Sequence, residues 1–187
     1  MDKKCGLLVF CIVFILFASL SNTSEGIELH PTQEQIDEAI KYGETHTENI
    51  FESELVKPAT FGEWPDFGGG IIKSKLVSLS IISAMKVRAK KKITDEDVTT
   101  ILESDTLAIS YRGGEDLYKI KLMQGTRVIE PKAIKKPEMG KNSPKHKAHF
   151  IVTSFPYEEI DLNAKSWVIV EKDFGTKRYD VDFSRFK

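Results

Sequence analysis

Apolar positions change their spacing about halfway along the chain, and this change separates two kinds of predicted element. Over 32–43, 72–91 and 94–102 they recur every three or four residues, which predicts three helices. Further along they alternate with polar positions, which is typical of strands. We therefore predict an α+β chain in which a helical part, 22–104, precedes a β-rich part, 105–187.

Two of the predicted helices begin with a capping box. Thr32 is followed three residues later by Gln35, and Thr94 by Asp97. In this motif the side chain of each residue accepts a hydrogen bond from the backbone of the other. The helix over 72–91 ends in basic residues, which suit the negative end of its dipole. We expect this helix and the next one to form a pair.

The alternation is clearest over 107–122, where two runs flank the turn 113–116 and predict a hairpin. Further strands are predicted at 127–130, 149–155, 167–171 and 178–183. A turn that contains Gly175 joins the last two. Because no helix intervenes, the pattern favours a C-terminal antiparallel β-sandwich, Ig-like or C2-like, over a parallel sheet.

Two segments have no regular period. Residues 44–70 contain two prolines and three consecutive glycines, and we expect their aromatic side chains to dock on the rest of the fold. These side chains are Phe51, Phe61, Trp64 and Phe67. Residues 131–147 contain three of the seven prolines, six lysines and one acidic residue, which predicts a solvated basic loop.

The N-terminal residues predict export. Two lysines precede an uncharged apolar run from Cys5 to Leu20, and small polar residues follow, as in a signal peptide that is cut after Ser21. A retained membrane anchor is the alternative, although about 20 apolar residues are normally needed to cross a bilayer. Cleavage removes Cys11 along with Cys5. The mature periplasmic or extracellular chain would then have no disulfide, thiolate zinc site or cysteine nucleophile.

The charge of the chain is divided into opposed blocks. The 187 residues are 41% hydrophobic and 29% charged, with a formal net charge of −1. Residues 25–66 carry 11 acidic and 2 basic side chains, whereas residues 67–147 carry 17 basic and 9 acidic ones. The near-neutral total therefore conceals an acidic segment followed by a basic one.

Two interpretations of these blocks stay open. In one, the acidic segment folds back along the basic one and their fields cancel. In the other, the basic residues meet an anionic surface, such as membrane phosphates, or an acidic protein partner. The candidate contacts are Lys86, Arg88, Lys90, Lys91, Lys92, Lys135 and Lys136. We do not expect nucleic-acid binding after export, nor membrane contact through the apolar segment unless that segment is retained.

Metal chemistry has weak support in the sequence. His146 and His149 are three residues apart, a spacing that aligns two imidazoles on a helix but means little in the loop predicted here. The acidic residues 95–97 are able in principle to bind a cation. Acidic residues in the first turn of a helix are more simply explained by the positive end of its dipole.

Phosphate binding and serine hydrolysis have little support as well. A phosphate loop needs glycine directly before a Lys-Ser pair. Two isoleucines separate Gly70 from Lys73 and Ser74, so residues 68–70 predict a flexible turn instead. The chain has no Gly-x-Ser-x-Gly elbow. We assign no catalytic, cofactor-binding or metal-binding residue and no cofactor.

Three C-terminal runs and the helix over 94–102 carry a family resemblance. The runs are Phe155-Pro156-Tyr157, Asp161-Leu162-Asn163-Ala164-Lys165 and Tyr179-Asp180-Val181-Asp182-Phe183. In these positions the chain, from about residue 60 onward, resembles exported bacterial proteins of unknown function. The resemblance implies one compact domain and no particular activity.

The leading functional hypothesis is a non-enzymatic exported protein of the bacterial envelope that acts through protein or anionic-surface contacts. A metal- or carboxylate-dependent hydrolase that uses His146, His149 and nearby acids is one alternative. A small-ligand carrier is another, and it would use an apolar pocket built from Trp64, Phe67 and Trp167.

Overall fold

The computed structural model describes residues 27–113, 117–136 and 149–186, and for Leu117, Tyr118 and His149 it describes the backbone alone. Within these residues there are three α-helices, nine strands and four short 3₁₀ helices. The predicted signal peptide lies outside the described residues. The α-helices are α1 (Gln33–Thr45), α2 (Lys75–Arg88) and α3 (Asp95–Leu102).

The helix starts follow the predicted capping boxes. The Thr32 hydroxyl accepts from the Gln35 amide while the Gln35 side chain accepts from the Thr32 amide, and Thr94 and Asp97 form the same arrangement. The prediction that the middle helix begins near residue 72 was wrong. A strand precedes α2, and Ser74 caps the helix by accepting from the Val77 amide.

Helix α2 packs closely on α1 as well as contacting α3. The Ser80 and Ser83 hydroxyls donate to the Ala39 and Ile40 carbonyls, at 2.9 and 3.0 Å. An apolar cluster completes these contacts with side chains from all three helices. Its buried members are Ile36, Ala39, Leu76 and Leu79, with Val98, Ile101 and Leu102 packed against them. The expected helix pair is therefore part of a three-helix arrangement.

The strands form two antiparallel sheets, consistent with a sandwich. One sheet has the order β1-β2-β3-β7-β6 and the other β5-β4-β8-β9. The strands are β1 (Thr60–Phe61), β2 (Gly70–Lys73), β3 (Thr106–Gly113), β4 (Leu117–Gln124), β5 (Arg127–Ile129), β6 (Ala133–Lys135), β7 (His149–Pro156), β8 (Lys165–Lys172) and β9 (Gly175–Asp182). The predicted α+β class and antiparallel pairing are confirmed.

The predicted hairpin over 107–122 was wrong in its pairing, although both strands exist. β3 pairs with β7, where Leu107 faces Phe155, while β4 pairs with β8, where Ile120 faces Val170. The chain therefore passes from one sheet to the other between β3 and β4. Alternation selects the face that is buried and says nothing about the partner strand, so two packed sheets satisfy it as well as a hairpin does.

The last two strands form the hairpin that the sequence predicts, with Lys172 opposite Gly175. The proposed loop over 131–147 needs a correction, because its first residues form strand β6, which pairs with residues 152–154 of β7. The remainder of that loop, residues 137–147, lies outside the described residues.

The aromatic residues of the 44–70 segment mostly dock as expected. Phe61 is buried, and Phe51 and Trp64 pack partly buried against the main core, where their rings meet edge to face at 5.4 Å. The expectation failed for Phe67, which is half exposed and lies beneath the Lys172 ammonium. The core beneath these rings lies between the two sheets and includes the fully buried Leu107, Ile109, Ile120, Leu122, Val168 and Val170.

Candidate functional site

Most of the predicted basic residues lie at the C-terminal end of α2 and in the turn that follows. Lys86 and Arg88 occupy the last turn of the helix, and Lys90, Lys91 and Lys92 continue beyond it. The Lys86 ammonium forms an ion pair with the Asp97 carboxylate at 2.6 Å, which joins the end of α2 to the start of α3. The charge of Lys86 is therefore committed to holding the two helices together.

The turn after α2 directs the remaining cations outward. Lys90 has a φ of 57°. Its amide donates to the Val87 carbonyl and the Lys91 amide to the Lys86 carbonyl, both at 2.8 Å. This pair of bonds is the Schellman motif, in which the left-handed position usually carries glycine. Lysine here accepts backbone strain and leaves a third consecutive cation on the surface.

We define the basic end of α2 as Arg88, Lys90, Lys91 and Lys92. All four side chains are exposed, and within the described residues none of them makes an ion pair. Exposed apolar side chains lie next to them, because Met85 is 59% and Val87 37% exposed. Met85 and Arg88 are three residues apart and share a helix face. The surface thus combines unneutralised cations with apolar groups.

The other two predicted contacts lie on a different element. Lys135 ends strand β6, at the edge of the five-stranded sheet, and Lys136 follows it; both are exposed. The structure therefore assigns the predicted contacts to two elements rather than to one continuous run. The basic end of α2 has the larger number of described cations and is the stronger candidate.

The acidic segment does pack on α2, through contacts of a different kind from those expected. Its helix α1 is held by the two serine hydroxyls and the apolar cluster. The named ion pairs stay within one block or reach the C-terminal strands: Glu52 with Lys57, Asp105 with Lys132, Glu130 with Lys119, and Glu171 with Lys121. The hydrogen bond from Lys132 lowers the pKa of Asp105. The contacts that hold α1 on α2 are therefore hydrogen bonds and apolar packing.

The acidic run at the start of α3 has a structural role. Asp97 accepts hydrogen bonds from Lys86 and from the Thr94 amide and hydroxyl. The Lys86 bond and then those from Thr94 lower the pKa of Asp97 to about 2. Among the described residues no group of three His, Cys, Asp or Glu side chains is placed to hold a metal ion. His146 lies outside the described residues, as does the side chain of His149.

The structure contains a cleft beside α2 and α3 that nothing in the sequence indicated. A cavity of about 180 Å³ is lined by Lys73, Lys75, Ser78, Thr100, Ile101, Ser104, Thr106, Ala108 and Tyr157. A second cavity, of about 230 Å³, shares Lys75, Ser104 and Tyr157 and adds Asp105, Glu158 and His30 among its lining residues. Lys73 was considered only as part of a phosphate loop, whereas it ends strand β2.

Burial perturbs two groups that line the first cavity. It lowers the pKa of the Lys73 ammonium and raises the pKa of the Tyr157 hydroxyl to about 12. In both cases burial disfavours the charged form. These residues are 84 positions apart in the chain and meet only because β2 and the turn after β7 converge, so the sequence carried no signal that joined them.

The aromatic residues of the carrier hypothesis have separate neighbours. Trp64 contacts Phe51 and Phe150, Phe67 lies beneath Lys172, and Trp167 stacks under the Arg178 guanidinium at 3.8 Å. None of the three lines either cavity described above.

The helices in the described part of the chain are all too short or too polar to span a membrane. Comparisons with protein-family models, with curated proteins and with solved structures found no match to the chain.

Proposed function

We propose that this chain is an exported, non-enzymatic protein that binds an anionic lipid surface through the basic end of α2. The observation that carries the proposal is the group of four exposed cations, without ion pairs among the described residues, beside exposed Met85 and Val87. Lipid phosphates attract such cations, and apolar side chains at their border enter the interfacial region. An exported chain, which the signal-like N-terminal residues predict, would meet such a surface.

The expected strength of binding is modest. A lysine or arginine close to an anionic surface contributes about 1 kcal/mol, and a nearby acid opposes it. Asp95 and Glu96 follow Lys92 closely in the chain and are exposed, so they offset part of the attraction. Two net cations correspond to a preference of roughly 30-fold for anionic over neutral vesicles at low salt.

The test is co-sedimentation of the chain without residues 1–21, which retains every described residue. Vesicles of phosphatidylcholine alone are compared with vesicles that contain phosphatidylglycerol, at low and at high salt. We expect binding to the anionic vesicles only, and loss of binding at high salt because the contacts are exposed. Neutralising Asp95 and Glu96, as Asp95→Asn and Glu96→Gln, strengthens binding.

The control separates local charge from total charge. Changing Arg88, Lys90, Lys91 and Lys92 to Gln abolishes vesicle binding. The same change at four exposed cations elsewhere, Lys41, Lys165, Lys177 and Arg185, alters the net charge equally and leaves binding nearly intact. Equal loss in both variants, or equal binding to neutral vesicles, contradicts the proposal.

A further inference from the structure

We propose that the cavity bounded by Lys73, Lys75 and Tyr157 binds a small oxyanion, a carboxylate or a phosphate, independently of the surface at the end of α2. The cavity lies where the end of β2 and the start of α2 meet the end of α3 and the turn after β7. The walls of the site therefore come from distant parts of the chain.

The lining of the cavity has one sign of charge. Its charged side chains are two lysines, and the remaining polar side chains are the hydroxyls of Ser78, Thr100, Ser104, Thr106 and Tyr157. The carboxylates of Asp105 and Glu158 line the adjoining cavity, and Asp105 is paired with Lys132 at 2.6 Å. Ammonium and hydroxyl groups donate the hydrogen bonds that an oxyanion accepts.

The lysines retain unused donors. The Lys75 ammonium donates to the Leu102 carbonyl at 2.5 Å, which occupies one of its three protons. Within the described residues, the Lys73 ammonium makes no hydrogen bond or ion pair, although its side chain is partly buried. A partly desolvated cation without a counter-charge is unfavourable, so an entering anion supplies the charge that the protein itself does not.

The size of the cavity restricts the ligand. Its volume of about 180 Å³ lies below the roughly 300 Å³ at which pockets begin to hold drug-sized molecules. Ile101, Ala108 and the Tyr157 ring provide an apolar wall. A small carboxylic acid or a simple phosphate fits this space and this chemistry.

The binding experiment uses acetate, succinate and inorganic phosphate as probes, titrated to about 10 mM. The full chain is expressed in a host that exports proteins and is labelled with ¹³C and ¹⁵N at lysine. The side-chain signals of each lysine are then followed by NMR. We expect one probe class to shift the Lys73 signals saturably. The class that binds identifies the ligand as a carboxylate or a phosphate.

A pH titration of the Lys73 signals provides a second readout. The pKa of Lys73 is expected below its ordinary value in the free protein and rises when the probe binds, because an anion stabilises the ammonium form. The other titratable groups that line the two cavities are Lys75, Tyr157, His30, Asp105 and Glu158. Their signals distinguish a response at Lys73 from a response of its neighbours.

Substitutions at Lys73 test whether this residue is required for binding of the probe. Lys73→Met weakens binding about tenfold or more and Lys73→Arg retains it, while Lys91→Met, at the exposed end of α2, has no effect. Lys73→Met should also fold at least as stably as the parent, since it removes a desolvated charge. Absence of a saturable shift with all three probes, or equal weakening by Lys73→Met and Lys91→Met, overturns the proposal. Vesicle binding is measured separately and is expected to be the same in Lys73→Met and the parent.

Discussion

The hydroxyl of Tyr111 on β3 lies 3.1 Å from the hydroxyl of Tyr179 on β9 and so joins the two sheets. Tyr179 donates its own proton to the Gly68 carbonyl at 2.7 Å, so Tyr111 is the donor in the bond between the two rings. Tyr111 is fully buried. A hydrogen-bonded relay thus connects the glycine turn, the first sheet and the second sheet.

We predict that Tyr179→Phe lowers the free energy of unfolding by about 1–3 kcal/mol, because it removes a donor to Gly68 and an acceptor for Tyr111 in a partly buried setting. Denaturant unfolding followed by circular dichroism measures the change. Tyr157→Phe is the matched control, since within the described residues the Tyr157 hydroxyl makes no hydrogen bond. A loss in the control as large as in Tyr179→Phe contradicts the relay.

Gly43 allows α1 and α2 to approach closely. A Cβ at this position would lie 2.1 Å from the Ser80 backbone carbonyl oxygen. Replacement of glycine by alanine inside a helix normally stabilises it by about 0.5–1 kcal/mol. We predict the opposite sign here, a loss of about 1–3 kcal/mol from overpacking, measured by thermal or denaturant unfolding. Glu44→Ala, at the exposed neighbouring position, controls for helix propensity, and a stabilised Gly43→Ala variant contradicts the predicted contact.

The Asp97 carboxylate should make the free energy of unfolding depend on pH. Its pKa is lowered from 3.8 to about 2, first by the Lys86 hydrogen bond, so the folded state favours the carboxylate more than the unfolded state does. The stabilisation is present above pH 4 and is lost as the pH falls toward 2.

Unfolding free energies of the parent chain and of Asp97→Asn, measured from pH 6 to pH 2, test this dependence. The parent should be more stable at pH 5, and the difference should shrink as the pH approaches 2. Glu96→Gln, in the same helical turn, provides the control and should show a much smaller pH-dependent difference. A difference for Asp97→Asn that stays constant over this range contradicts the assignment.

Local features of the fold were predictable because they depend on neighbours in the chain. The capping residues Thr32 and Thr94 act over three positions, and the turn at Gly175 joins strands only two residues apart. The pairing of β3 was not predictable in the same way. Its partner β7 begins 36 residues after β3 ends, and alternation alone does not distinguish that strand from the nearer β4.

The two candidate sites also differ in how far the sequence predicts them. The cations at the end of α2 all lie between positions 86 and 92, so the sequence identified them, while only the structure showed that Asp97 engages Lys86 and that the other four are exposed. The Lys73 cavity needed the whole fold, since its lining residues span positions 73–157. Short-range hydrogen bonds and periodicity depend only on the order of residues along the chain. Which strands meet, and which buried charges share a cavity, follows from packing two sheets and three helices around one another.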